Sequence, residues 1–254
     1  MVPQSTGRRD PSSLDVVLRW FRRSRPRPHV LPLGSRTEAV QVARVELAAL
    51  TPEPVVYLGR LGYLTLVLFE NLGRAVMATP TTEGKSELTR AAGEMGDAHE
   101  AVVNELRTLG HDPVAAMEPY RLELDDFQRR TQGADWHEIL VTCYLTQGFL
   151  TDFSAGLAGG LPRDLRVRVA EILARVTVGE AVLVELLRAG VETSPRLASR
   201  LAMWGRRLVG DTMLVAREAL EIDGVMPGEE RIEPVFTELV ASHTRRMDAL
   251  GLTA

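Results

Sequence analysis

Apolar residues recur along most of this chain at steps of three and four, the spacing that lines one face of an α-helix. The clearest case is SELTRAAGEMGDAHEAVVNELRTL, residues 86–109, where Leu88, Ala92, Met95, His99, Val102 and Leu106 share a stripe. His99 therefore points where Met95 and Val102 point, and an inward imidazole needs a polar partner. The same period predicts helices over about 37–50, 53–78, 135–158, 163–189, 195–222 and 229–250. Of these, 53–78 is the most apolar, with Glu70 the only charge in LGYLTLVLFENL, and is expected to be buried all round. Along 135–158, one side carries Ile139, Cys143, Gln147, Leu150 and Leu157; along 163–189 it carries Leu165, Val169, Ile172, Val176, Leu183 and Leu186.

The stops between these stretches are chemically plain. Thr79-Pro80, Gly110-His111-Asp112-Pro113, Gly159-Gly160-Leu161-Pro162 and Pro227-Gly228 each place a residue that cannot continue a helix. Residues 114–133 read as a less regular acidic connector. Alternating strand patterns and long repeats are absent, so the fold class is all-α: an antiparallel four-helix bundle with additional N- and C-terminal helices.

Composition changes this picture at one end only. Residues 1–35 form a basic, Pro-, Ser- and Arg-rich segment with one short helical stretch, LDVVLRWFRR, and residues 36–254 are assigned to the bundle. Seven arginines against two aspartates give residues 1–30 a charge of +5, so the rest of a chain of net charge −4 carries −9. That segment suits a protein partner or an anionic surface, while the acidic body is a poor general nucleic-acid surface and leaves nucleic acid open as a partner. The single cysteine, Cys143, excludes an internal disulfide framework and fits a reducing compartment. No apolar run reaches the ~18 residues of a membrane span, and no secretory signal pattern is present, so the expected location is the cytoplasm. The apolar stripes of the last two helices (Leu197, Leu201, Leu208; Val235, Leu239) are surplus to four core helices and predict a homodimer.

The strings LVLFENLGRA around Glu70, GEMGDAHEAVVNELRTLGHDP (93–113), MWGRRLVG (203–210) and SHTRRMDALGL (242–252) resemble the ferritin-like superfamily. More closely, they are similar to actinobacterial ferritin-like proteins grouped with tRNA hydroxylases that oxidise a hypermodified adenosine. The resemblance covers about residues 52–250 and implies a non-haem di-iron oxygenase, provided the ligands are kept. In such bundles two helices each give a carboxylate and two others each give a Glu-x-x-His pair. The candidates here are Glu70, then His99 with Glu94, Asp97 or Glu100, then Gln147 or Asp152, with Tyr144 beside them; the fourth helix offers only Glu171, Glu180 and Glu185.

The ligand pattern is broken. Three residues before His29, His99, His111, His137 and His243 stand Pro26, Gly96, Thr108, Ala134 and Val240, so no Glu-x-x-His or Asp-x-x-His exists. The fourth helix reads Ala174-Arg175-Val176-Thr177-Val178-Gly179, where Val178 can only wall a cavity. Glu70, Glu94, His99, Tyr144, Gln147, Asp152 and Val178 are thus expected as a vestigial site or pocket lining, with no resident cofactor; the alternative is iron. Glu70 has Arg74 at i+4 as an ordinary partner, and His99 has Glu70 or Gln147 across the bundle. The functional expectation is a bundle that has lost its di-iron site and acts as a non-catalytic binding or interaction protein. The alternatives are a tRNA hydroxylase-like oxygenase with an altered metal site, and a small-molecule binder using the vacated pocket.

Overall fold

A computed structural model describes residues 47–220 and 227–252 of the chain. The short helix expected at 14–23, and most of that expected at 37–50, lie outside the described residues. α1 (Pro54–Ala78) and α2 (Thr82–Thr108) form an antiparallel hairpin. α3 (Pro113–Met117), a 3-10 turn (Glu118–Tyr120) and α4 (Arg121–Arg130) follow, then the central α5 (Trp136–Leu157). α6 (Arg163–Val176), α7 (Glu180–Thr193), α8 (Pro195–Glu218) and α9 (Glu229–Ala249) complete the bundle, with no strand among the described residues.

Local chemistry sets the helix ends. Thr81 accepts from Gly84 N–H at 3.1 Å, Asp112 from Ala115 N–H at 3.0 Å, and Asp135 from both His137 and Glu138 N–H. The Thr81 cap starts α2 at Thr82, four residues before the stretch 86–109 in which the sequence places the helix. Gly110, at φ +81°, closes α2 in the left-handed conformation that favours glycine.

Five expectations change. The connector at 114–133 is largely helical: Asp112-Pro113 starts a new turn, and Leu124 and Phe127 bury an apolar side. The single helix expected at 163–189 divides at 177–179. There Thr177 turns its hydroxyl back onto the Ala174 carbonyl at 2.9 Å, and Gly179 sits so close to Ala91 that a Cβ would stand 2.7 Å from it. The helix buried all round is α5 rather than α1: every residue from Leu140 to Thr151 is buried. Its polar groups are satisfied inside the protein, since Thr142 donates to the Thr131 carbonyl at 3.0 Å, Thr146 to Thr142, and Gln147 to the Val176 carbonyl. α1 keeps an outer face, with Phe69, Glu70 and Met77 exposed.

α1 is also long and apolar enough, by length and composition alone, to cross a membrane, contrary to the expected lack of such a run. Some 61% of its most apolar window is buried inside the protein, against α2 and α5, as in a core helix. Finally, the surplus stripes of the last two helices are used internally. Leu201, Leu208 and Val235 are fully buried and Leu239 nearly so, because α8 and α9 both pack on α5 and on each other.

Candidate functional site

The sequence-derived candidates fall into three separate places. Glu70 lies on the outer face of α1, and its carboxylate accepts from Gln128 Nε2 at 2.9 Å. Arg74 also reaches Gln128, at 3.4 Å, so Gln128 of α4 stands between the two residues expected to pair with each other. The second place is on α2. His99 is half-buried, with Nδ1 3.1 Å from the Gly62 carbonyl and 3.2 Å from Thr65 Oγ1. Its partners are thus on α1, as a cross-helix bond requires, but they are neither Glu70 nor Gln147. Glu94 is half-buried and Asp97 and Glu100 are exposed.

The third place is on α5 and faces α7 and α9. Asp152 is half-buried and accepts from Arg246 at 2.8 Å and from Ser242 Oγ at 2.7 Å. Burial would lower the Arg246 pKa, but Asp152 and Glu180 outweigh it and hold the pKa above its ordinary value. Glu180, at the start of α7, has a buried Oε1 with no hydrogen-bond partner. Burial raises its pKa, Arg246 opposes the rise and Asp152 adds to it. Tyr144, buried about two turns before Asp152 on α5, has its pKa raised by burial and by Glu180. His243, next on α9, is buried with Nε2 3.0 Å from the Gly205 carbonyl and Nδ1 unpartnered. Burial pushes its pKa down to about 4. Gln147 is buried but faces Val176, and Val178 is 54% exposed at the break between α6 and α7, not in an interior wall.

Arg246, Ser242 and Gln128 were not singled out from sequence. A signal for the first did exist: Arg246 lies in SHTRRMDALGL, and glycine at 148 marks a close approach in the apolar heart of α5. What the sequence did not supply was the pairing of the two positions.

A di-iron centre needs several anionic ligands from different helices aimed at one point. Among the described residues no three His, Cys, Asp or Glu side chains converge in that way. Glu70 faces outward, the Asp152 charge is met by Arg246, and the Gln147 amide is engaged with a backbone carbonyl. The residues present do not fit a two-metal centre.

On the outer side of Asp152 lies a groove of about 530 Å³ between α5, α9 and Leu47, floored by Ala155, Gly156, Val235 and Leu239. Asp152, Ser242, Glu238 and Arg245 supply its polar rim, with Arg245 donating to Glu238 at 2.7 Å. Ligand pockets commonly span about 300–1,000 Å³.

The helix order and the antiparallel packing around α5 define an all-α, ferritin-like bundle. The family described as "Ferritin-like domain, actinomycetes" matches residues 52–223, and the chain belongs to it. No curated protein matches the chain.

Proposed function

We propose that this chain is a cytoplasmic ferritin-like protein without a di-iron site, and that it acts by binding rather than by oxidation chemistry. The observation that carries this reading is the scatter of the potential ligands: Glu70 on the outer face with Gln128, His99 with Gly62 and Thr65, and Asp152 with Arg246. Oxidation at two irons requires those groups at one point. The reading differs here from the tRNA hydroxylases that the sequence resembles, whose chemistry would need an intact carboxylate and histidine set.

The small-molecule version of this reading moves from the vacated interior to the groove beside Asp152. Its apolar floor and polar rim suit an amphipathic ligand that carries a hydrogen-bond donor or a positive charge. The basic segment 1–35 is the second docking element, suited by its charge to an acidic protein surface or another anionic surface. Metal analysis of the protein purified from iron-supplemented cells tests the central point. Less than one iron per chain is expected; about two irons with an oxo-bridge absorption band lost on reduction would overturn it.

A further inference from the structure

α1, the turn after α4 and α5 meet around a small cavity on another side of the bundle from Asp152. Asn71 and Arg74 of α1, Thr131 with the Gln132-Gly133 turn, and Thr142 of α5 wall a space of about 10 Å³. That is room for one occupant near the size of a water. Asn71 is only 6% exposed, and its Nδ2 is buried with no hydrogen-bond partner among the described residues. Arg74 is half-buried, and its Nη1 is likewise buried and without a partner. Two unused donors, one of them charged, line the same space.

Gln128 orients both. Glu70 accepts from Gln128 Nε2 at 2.9 Å, which fixes the direction of the Gln128 amide. The same Nε2 lies 3.4 Å from Asn71 Oδ1, and Gln128 Oε1 accepts from Arg74 Nη2 at 3.4 Å. With Oδ1 and Nη2 turned to Gln128, Nδ2 and Nη1 are the donors left over. Arg74 has no carboxylate within ion-pair distance among the described residues. A buried donor without an acceptor costs stability, and a charged one costs more. The hydroxyls of the wall are already engaged. Thr131 Oγ1 donates to the Phe127 carbonyl at 2.8 Å; Thr142 Oγ1 donates to the Thr131 carbonyl and accepts from Trp204 Nε1 at 2.9 Å. What the cavity lacks is an acceptor.

We propose that this cavity binds one small monovalent anion, of the size of chloride or bromide, between Arg74 Nη1 and Asn71 Nδ2. An anion answers both donors and the guanidinium charge at once, whereas a water must also place its own hydrogens. The ion ties α1 to the turn between α4 and α5, and Gln132, exposed at the surface, marks the way in. The site stands apart from the metal reading and from the groove beside Asp152, neither of which uses Asn71 or Arg74.

Thermal unfolding of the full chain at constant ionic strength, with gluconate replacing chloride, tests the proposal. An ion bound only to the native state raises the midpoint by mass action, here by about 2 °C or more between about 1 and 200 mM chloride. Bromide should match chloride, since gluconate alone is too large to enter. Asn71→Leu and Arg74→Met should each remove the rise, and Arg90→Met, at an exposed arginine of α2, should keep it. Crystals of the parent protein in about 100 mM bromide give a readout that needs no variant to fold, because a site occupied by mass action shows an anomalous peak touching both nitrogens. A midpoint indifferent to chloride, a rise kept by both cavity variants, a water at that place in bromide, or a peak only at molar bromide (an adventitious ion only) overturns the proposal.

Discussion

The Arg246 guanidinium occupies the space that a side chain at position 148 would need: a Cβ built on Gly148 collides with it. Gly148 lies in the middle of α5, where alanine would ordinarily be favoured by about 1 kcal/mol. Close approach of Arg246 explains the glycine. Gly148→Ala should therefore destabilise the protein by about 1–3 kcal/mol, the cost of overpacking, against the sign that helix propensity predicts. Urea unfolding measures this, and a variant as stable as the parent would show that Arg246 swings out at no cost.

Asp152 and Arg246 join α5 to α9 through a charge-assisted hydrogen bond of 2.8 Å. A double-mutant cycle with alanine at each position should give a coupling of about 1–2 kcal/mol, reduced from a fully buried pair because Asp152 is half-exposed. Arg246→Ala should cost more than Asp152→Ala, since it also leaves Glu180 without its nearest positive charge. Equal costs with no coupling would remove the pair from the forces that hold α9 in place.

His243 makes stability depend on pH. Its pKa is near 4 in the folded protein because of burial, with the Gly205 carbonyl opposing the fall and Arg246 adding to it; unfolded it is about 6.5. Between these values the unfolded chain binds more protons, so stability is full above about pH 6.5 and falls as pH drops toward 4. The interval corresponds to roughly 3 kcal/mol at most. Glu180, with its pKa raised, has the opposite sign but is present in both proteins of a comparison. His243→Gln should lose less stability than the parent between pH 7 and pH 4.5 in denaturant titrations. Parallel pH curves would contradict this.

Cys143 should be chemically silent in the native state. The thiol is buried and its pKa is pushed up to about 12 by burial. Aromatic disulfide reagents at pH 8 should label it only in urea, at the rate of global unfolding. Fast labelling of the native protein would mean that α5 opens locally.

Metal should contribute nothing to stability. Dialysis against a strong chelator should leave the thermal midpoint within about a degree, because a metal bound only to the native state raises stability by mass action and its loss would be seen. Glu70→Gln should change stability by less than about 1 kcal/mol, as befits an exposed carboxylate with one hydrogen-bond partner. A midpoint that falls by many degrees on chelation would revive the hydroxylase-like reading.

Where the helices run was legible in the sequence because the determinants are local. The 3.6-residue stripes through Leu88–Leu106 and Leu201–Leu208 sit in observed helices, and Thr79-Pro80, Gly110 and Gly159-Gly160 end them through their own backbone preferences. The same local rules exposed the missing Glu-x-x-His pairs. The all-α class followed from these elements, and the ferritin-like family from the strings around Glu70 and His99 that resemble it. Tertiary structure alone decided the rest. The break at 177–179 depends on the approach of Gly179 to Ala91, and the burial of α5 on every side depends on carbonyls of Thr131 and Val176 that its own period does not reveal. Glu70 lies on the most apolar helix yet faces outward, while Arg246 reaches the interior through the space left by Gly148. The physical reason is range. A side-chain period specifies one face of one helix, but which neighbour covers that face, and which charge meets which, is set by contacts between residues as far apart in sequence as Asp152 and Arg246.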